Sequence, residues 1–144
     1  MIELDNQTDL NIDLEKLENI AKSLSKRSIE LILTDEKSIQ SINQSYRGKN
    51  TSTDVLSFPI KTADKHLYHI PLGSIIICDS FVIDNAKYYK HSIQDECSLL
   101  FIHGILHLLG FDHETDHGEM REKEATLIKQ FNLAESLIMR TKEQ

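Results

Sequence analysis

The chain has 144 residues, with 16 Lys and Arg against 23 Asp and Glu, and a formal net charge of -7. This length predicts a single domain over residues 1–144, which can bury well over half of its unfolded surface without disulfides or a structural metal. The acidic balance argues against a broad electrostatic grip on nucleic acid, and we expect no DNA partner.

Targeting signals are absent from the sequence pattern. Residues 1–10 contain three acidic side chains and lack the basic segment and apolar core of a secretory signal. The uncharged run 97–111 is too short to span a bilayer, so no membrane association is expected. Cys78 and Cys97 have apolar neighbours and no C-x-x-C spacing, which favours buried free thiols. We therefore expect a cytoplasmic protein.

Hydrophobic spacing predicts strands interleaved with helices, followed by helices alone. The predicted strands are residues 1–4, 28–34, 54–60 and 70–78. The predicted helices are residues 13–25, a segment capped by Asp35 that reaches Tyr46, and residues 79–90, 92–109 and 116 to about 141. This order predicts an α+β (α/β-like) fold, in which a small mixed β-sheet of about four strands packs against helices.

Three histidines carry most of the functional information. His103 and His107 are four residues apart on a predicted buried helix and share one face, and Gly110 allows the chain to turn and return His113 toward them. Three imidazole nitrogens and one open position are typical of a catalytic zinc. The sequence therefore predicts a site for one zinc ion per chain, on this helix and the turn after it.

Two ambiguities surround this pattern. His113 and His117 are also four apart, so His117 competes as the third ligand, although the position of Gly110 favours His113. The register matches H-E-x-x-H-x-x-G-x-x-H of metzincin peptidases. Gly104 stands where those enzymes carry the glutamate that accepts a proton, which argues against a peptidase.

The segment 103–113 resembles the H-G-x-L-H-L-x-G-[YF]-D-H signature of the YbeY-type rRNA maturation endoribonucleases. Tyr46-Arg47-Gly48-Lys49 and the block 53–59, TDVLSFP, resemble a second motif of that family. The chain departs from the family at Thr51-Ser52, where Lys-Pro is frequent, and at Ser74, where Asp is common. Both departures border the presumed cleft.

The resemblance implies a zinc-dependent endoribonuclease specific for single-stranded RNA. Its implied role is rRNA processing, notably maturation of the small-subunit rRNA 3′ end, and ribosome quality control, with the ribosome or its small subunit as partner. His103, His107 and His113 would be the metal ligands and part of the catalytic set.

The resemblance also implies a catalytic role for Arg47, whose planar guanidinium suits a phosphate. Lys49 is a weaker candidate for a substrate contact, and Asp112 is either a group that orients a ligand histidine or a turn residue. Glu96 is expected to be a structural partner near the start of its helix. The stretch 37–91 has a local balance of +3 and is expected to form one wall of the cleft, with few phosphate contacts.

Two alternative functions remain open from the residues alone. One is a metal-dependent hydrolase of another class, most obviously a peptidase. The other is a ribosome-assembly factor that works by binding and has a structural metal. A structural zinc would be expected to have a fourth protein ligand, which the pattern does not supply.

Overall fold

The computed structural model describes residues 1–61 and 69–142, and this part of the chain contains four strands and six helices. The strands are β1 (Ile2–Asn6), β2 (Ile29–Thr34), β3 (Val55–Pro59) and β4 (Gly73–Cys78). The helices are α1 (Leu14–Leu24), α2 (Glu36–Arg47), α3 (Asp79–Tyr89), α4 (Ile93–Leu108), α5 (Glu119–Gln130) and α6 (Ser136–Lys142).

The strands form one mixed sheet in the order β1-β2-β4-β3. β1, β2 and β4 are parallel, and β3 pairs antiparallel with β4 at one edge. Leu31 and Ile75 are paired in the middle of the sheet and are completely buried. The predicted α+β fold with a mixed sheet of about four strands is confirmed.

Polar side chains cap the N-termini of three of the helices. Each cap lies where apolar residues at helical spacing follow a strand or a loop. Asp35 accepts a hydrogen bond from the backbone N–H of Ser38 at 2.8 Å, as predicted for a cap. Asp13 and Ser92 cap α1 and α4 in the same way. These caps fix the starts of the helices that pack on the sheet.

Helix α4 lies at the centre of the fold, as its apolar composition predicts. Twelve of its sixteen residues are buried, and it packs on β3 and β4 and against α1, α3, α5 and α6. Cys78 and Cys97 are buried free thiols, in agreement with the sequence. Among the described residues, no helix combines the length and apolar character needed to cross a membrane.

The single helix predicted from residue 116 to about 141 is wrong, because two helices occupy this segment. Asn132 adopts a left-handed conformation, with φ of 53°. Its N–H bonds the carbonyl of Lys129 at 3.1 Å, and the N–H of Leu133 bonds that of Ile128 at 2.9 Å. This pattern is a Schellman motif with asparagine in the glycine position, and it ends α5 before α6 begins.

The start of that helix also differs from the prediction. Gly118 has a φ of 102°, and α5 begins at Glu119 rather than at residue 116. The carboxylate of Asp116 accepts hydrogen bonds from the N–H groups of Gly118 and Met120. Asp116 therefore caps the helix from outside it.

Candidate metal centre and adjoining cleft

The three predicted histidines converge on one point. One ring nitrogen from each of His103, His107 and His113 lies within 4.8 Å of those of the other two. The ring centroids of His103 and His107 are 4.5 Å apart, and His113 lies 5.4 Å from the first and 5.9 Å from the second. His117 is exposed and is not part of this group. The geometry therefore favours His113 as the third ligand.

The turn after α4 has the form that Gly110 predicts. Gly110 has a φ of 101°, its N–H bonds the carbonyl of His107 at 3.0 Å, and the N–H of Phe111 bonds that of Leu106 at 2.9 Å. This is again a Schellman motif, with glycine in the left-handed position. It reverses the chain immediately after His107 and returns His113 to the same side of α4.

Hydrogen bonds fix the orientation of two of the imidazoles. Nδ1 of His103 lies 2.9 Å from Oε1 of Glu124, and Nδ1 of His107 lies 3.0 Å from the carbonyl oxygen of Phe111. A carboxylate and a carbonyl accept hydrogen bonds, so each Nδ1 carries the proton and each Nε2 carries a lone pair.

The two Nε2 atoms face one another at a separation of only 3.0 Å. Two lone pairs at this distance repel each other unless a shared proton or a metal ion lies between or beside them. Nδ1 of His113 is buried and has no hydrogen-bond partner within the described part of the chain. The donor set therefore fits a divalent ion held by nitrogen ligands.

The surroundings of His107 favour its neutral form, which is the form that binds a metal ion. Its pKa is lowered from 6.5, first by burial and then by the neighbouring charge of His103, while the bond to the Phe111 carbonyl acts in the opposite direction. Metal binding requires the neutral imidazole. A lowered pKa means that less of this ligand is protonated near neutral pH.

Glu124 is the group that orients His103, a role that no local sequence pattern indicates. It lies on α5 and is completely buried. Asp112, the candidate named from the sequence, is exposed, and its Oδ1 accepts a hydrogen bond from the N–H of Glu114 at 3.0 Å. Asp112 was expected either to orient a ligand histidine or to stabilise a turn. This bond stabilises a turn.

Gly104 lies against the sheet, in closer contact than any larger residue permits. A Cβ atom at this position would be 2.8 Å from Cγ2 of Ile75, a buried residue of β4. A glutamate here would have to displace the packing between α4 and β4. The close packing therefore disfavours, at this position, the proton-accepting glutamate of the peptidase pattern.

Two cavities flank the histidines at opposite ends of the edge strand β3. A polar cavity of about 490 Å³ is bordered by His103, His113, Asp54 and Arg140. A second cavity, of about 710 Å³, is bordered by His107, Pro59 and Ile60. Because Asp54 precedes β3 and Ile60 follows it, one cavity adjoins each end of this strand, and each is bordered by at least one of the three histidines. We call the two cavities together the cleft.

Arg140 in the wall of the polar cavity was not anticipated from the sequence. It is 6% exposed, and its Nη2 and Nε lie 2.9 Å from Oδ2 of Asp54 and 3.2 Å from Oε2 of Glu96. Glu96 also bonds His91 at 2.7 Å. These contacts attach α6 to α4 and to the loop before β3, and they confirm the structural role predicted for Glu96.

Arg47 and Lys49 occupy more peripheral positions than the histidines. Arg47 is the last residue of α2, Gly48 follows it with a φ of 69°, and both Arg47 and Lys49 are exposed. Neither is among the residues that border the two cavities. Lys65 and Asp64, which count toward the predicted charge of residues 37–91, lie outside the described residues.

The two departures from the family motifs also have positions in this structure. Ser52 borders the polar cavity. Ser74 lies on β4, where its hydroxyl donates a hydrogen bond to Oε1 of Glu30 on β2 at 2.8 Å. The first departure therefore adjoins the cleft, and the second contributes a cross-strand contact.

Comparisons with known proteins agree with the motifs. The family model described as Endoribonuclease YbeY matches residues 3–132. The Endoribonuclease YbeY of a Sulfurovum species is 57% identical over 97% of this chain and 97% of its own length. The protein of that name from Helicobacter pylori is 49% identical over 99% of this chain and all of its own.

A solved structure shares the fold as well. The solution structure of a Thermotoga maritima protein is 30% identical, with a TM-score of 0.59, and the alignment covers 91% of this chain and 89% of that one. Helix α6, which carries Arg140, lies beyond the residues matched by the family model. On the extent of the family match and of the relatives, the chain belongs to the endoribonuclease YbeY family.

Proposed function

We propose that this chain is a metal-dependent endoribonuclease that cleaves single-stranded RNA. It would act in the cytoplasm. There it would process rRNA at the 3′ end of the small-subunit rRNA and would take part in ribosome quality control. The observation that carries the proposal is the convergence of one ring nitrogen from each of three histidines within 4.8 Å of one another. Family membership supports RNA as the substrate, because the relatives are named as endoribonucleases.

His103, His107 and His113 would hold one zinc ion per chain. Bound there, the ion would supply a Lewis acid for a phosphodiester group. Zinc is favoured because imidazole nitrogens suit it and because three protein ligands leave a position for substrate or water. Glu124 and the Phe111 carbonyl would keep the first two imidazoles in the required tautomer.

The chain's own side chains have further roles in this proposal. Arg47 would bind a phosphate oxygen and stabilise charge that develops during cleavage. Lys49 would contact the RNA backbone from the same loop. Asp112, exposed beside His113, would contact the substrate or orient a ligand imidazole.

The shape of the cleft supports an unpaired strand as substrate. A single strand that lies along β3 across both cavities would be recognised through its backbone and 2′-hydroxyls. The net charge of -7 predicts weak affinity for free RNA. The small ribosomal subunit would therefore present the substrate to this protein.

The decisive test measures cleavage of a labelled single-stranded RNA, of the same RNA in a duplex, and of casein. Wild type is expected to cleave only the single strand. His107→Ala should lose this activity, whereas His69→Ala, which changes an exposed histidine outside the group, should keep it. Equal cleavage by wild type and His107→Ala would identify a contaminating nuclease.

Two other results would contradict the proposal and favour a different function. Casein cleavage that depends on His107 would indicate a peptidase. A metal-loaded protein that binds ribosomal subunits and leaves RNA intact would indicate an assembly factor with a structural metal.

A further inference from the structure

The two ends of the cleft differ in charge. The cavity next to His107 is bordered by Lys26, Arg27 and Lys61, and none of its described lining residues is acidic. We call it the basic cavity. In the polar cavity, the charge of Arg140 is opposed by Asp54 in the same wall and by Glu96 behind it. Among the described residues that border the two cavities, positive charge is therefore concentrated on one side of the histidines.

Hydrogen bonds fix the position of Arg27. Nε of Arg27 donates to the carbonyl oxygen of Ile70 at 2.8 Å, and Nη2 donates to the carbonyls of Ile60 at 3.0 Å and of Pro71. These carbonyl oxygens orient the guanidinium, and they carry no formal charge of their own. An anion in the basic cavity would therefore meet a preorganised positive group.

The remaining lining is largely apolar. It comes from the end of α1, the end of α4 and the segment that enters β4, and it includes Leu24, Leu72 and Leu109. A polyanion with flat, partly apolar groups matches this combination of cations and apolar surface. RNA has both features, because its phosphates alternate with riboses and bases.

We propose that the basic cavity binds the phosphate backbone of single-stranded RNA on one side of the bond that lies at the histidines. This inference rests on the proposed function and assigns a direction to substrate binding within the same cleft. Lys26 and Lys61 are exposed and would contact phosphates directly, while Arg27 would act from its fixed position. Nucleotides on the other side would lie in the polar cavity, where Arg140, the one lysine or arginine among its described lining residues, is paired with Asp54 and Glu96.

The contrast with the whole chain strengthens the inference. Acidic side chains outnumber basic ones by 23 to 16, so most of the surface repels a polyanion. Binding that rests on a few cations in one cavity predicts a shallow dependence of affinity on salt. Each phosphate contact on a single strand contributes about 0.7 to the slope of log K against log salt concentration.

The first experiment measures binding of a labelled 2′-O-methyl RNA to the full-length metal-loaded protein at several salt concentrations, with RNA integrity checked afterwards. The double variant Lys26→Gln/Lys61→Gln should bind more weakly and lower the slope by about 1.4. The matched control Lys16→Gln/Lys129→Gln removes the same charge from exposed positions outside both cavities and should leave the slope unchanged. Thermal unfolding establishes that all variants are folded.

The second experiment tests the direction. Uncharged methylphosphonate linkages are placed either 5′ or 3′ of the mapped cleavage position. Substitution on one side should weaken binding to wild type, and this loss should disappear in Lys26→Gln/Lys61→Gln because the partner charges are already gone. Substitution on the other side should have an effect of the same size in both proteins.

The outcomes separate this inference from the function on which it rests. If wild type cleaves single-stranded RNA and both double variants lower the slope equally, the basic cavity is not the binding site. An equal loss from methylphosphonates on both sides, unchanged in Lys26→Gln/Lys61→Gln, would also overturn it. If wild type cleaves no RNA, the proposed function itself fails.

Discussion

Oε1 of Glu124 lies 2.9 Å from Nδ1 of His103, although 21 positions separate the two residues in the chain. The carboxylate is completely buried, on a helix that packs against the histidine helix. A buried carboxylate is costly unless a partner compensates it, and here the partner is a ligand imidazole. The contact couples the packing of α5 to the geometry of the metal centre.

Replacing Glu124 should therefore weaken metal binding even though Glu124 is not itself a ligand. We expect Glu124→Ala to lower the affinity for zinc by about 10- to 100-fold, and Glu124→Gln to lower it less because the amide oxygen can still accept. Competition with a chromophoric chelator measures the affinity. Glu122→Gln, at an exposed position of the same helix, is the control and should bind zinc like wild type.

The identity of the third ligand can be tested directly. His113→Ala should lose about 10-fold or more in zinc affinity, because even changes to groups that only orient a ligand cost that much. His117→Ala should bind zinc with unchanged stoichiometry, since this exposed residue lies outside the histidine group. The reverse pattern in metal analysis would make His117 the ligand.

The sequence predicted what depends on local spacing. The i, i+4 histidines, the left-handed Gly110 and the Asp35 cap follow from the geometry of one helix or one turn. Glu124 and Arg140 act through partners distant in sequence, and no periodic pattern identifies those partners. The break at Asn132 was missed because the apolar spacing continues across it, and asparagine marks a helix end less strongly than glycine does.

The catalytic role of Arg47 remains a prediction. Because the side chain is exposed, replacing it should not disturb the fold. Arg47→Ala should leave zinc content and thermal stability unchanged, because the side chain is exposed at the end of α2. Cleavage of single-stranded RNA should fall by roughly 10- to 1000-fold if the guanidinium stabilises charge in the transition state. Arg47→Lys should restore only part of this loss, since an ammonium group lacks the two-pronged geometry. Wild-type rates in Arg47→Ala would remove the residue from the mechanism.

The buried ion pairs of Arg140 should make the stability of this fold depend on pH. Arg140→Met keeps an apolar stem and leaves Glu96 without its cation, and breaking a buried pair in this way costs about 3 to 5 kcal/mol. Burial raises the pKa of Glu96 above 4.5, while Arg140 and His91 act in the opposite direction. Removing Arg140 should therefore raise the pKa of Glu96 further.

The sign of the pH effect follows from this shift. A carboxyl group whose folded-state pKa is raised contributes stability that is present below its unfolded pKa and is lost as the pH rises through the folded value. In Arg140→Met this loss of stability extends over a wider pH range than in wild type. The difference in the free energy of unfolding between the two proteins, measured with urea, should therefore be larger at pH 8 than at pH 5. Arg140→Met/Glu96→Gln removes both charges and should recover most of the stability at pH 8. If the double variant is as unstable as Arg140→Met at both pH values, then packing of the arginine stem, rather than its charge, holds α6 in place.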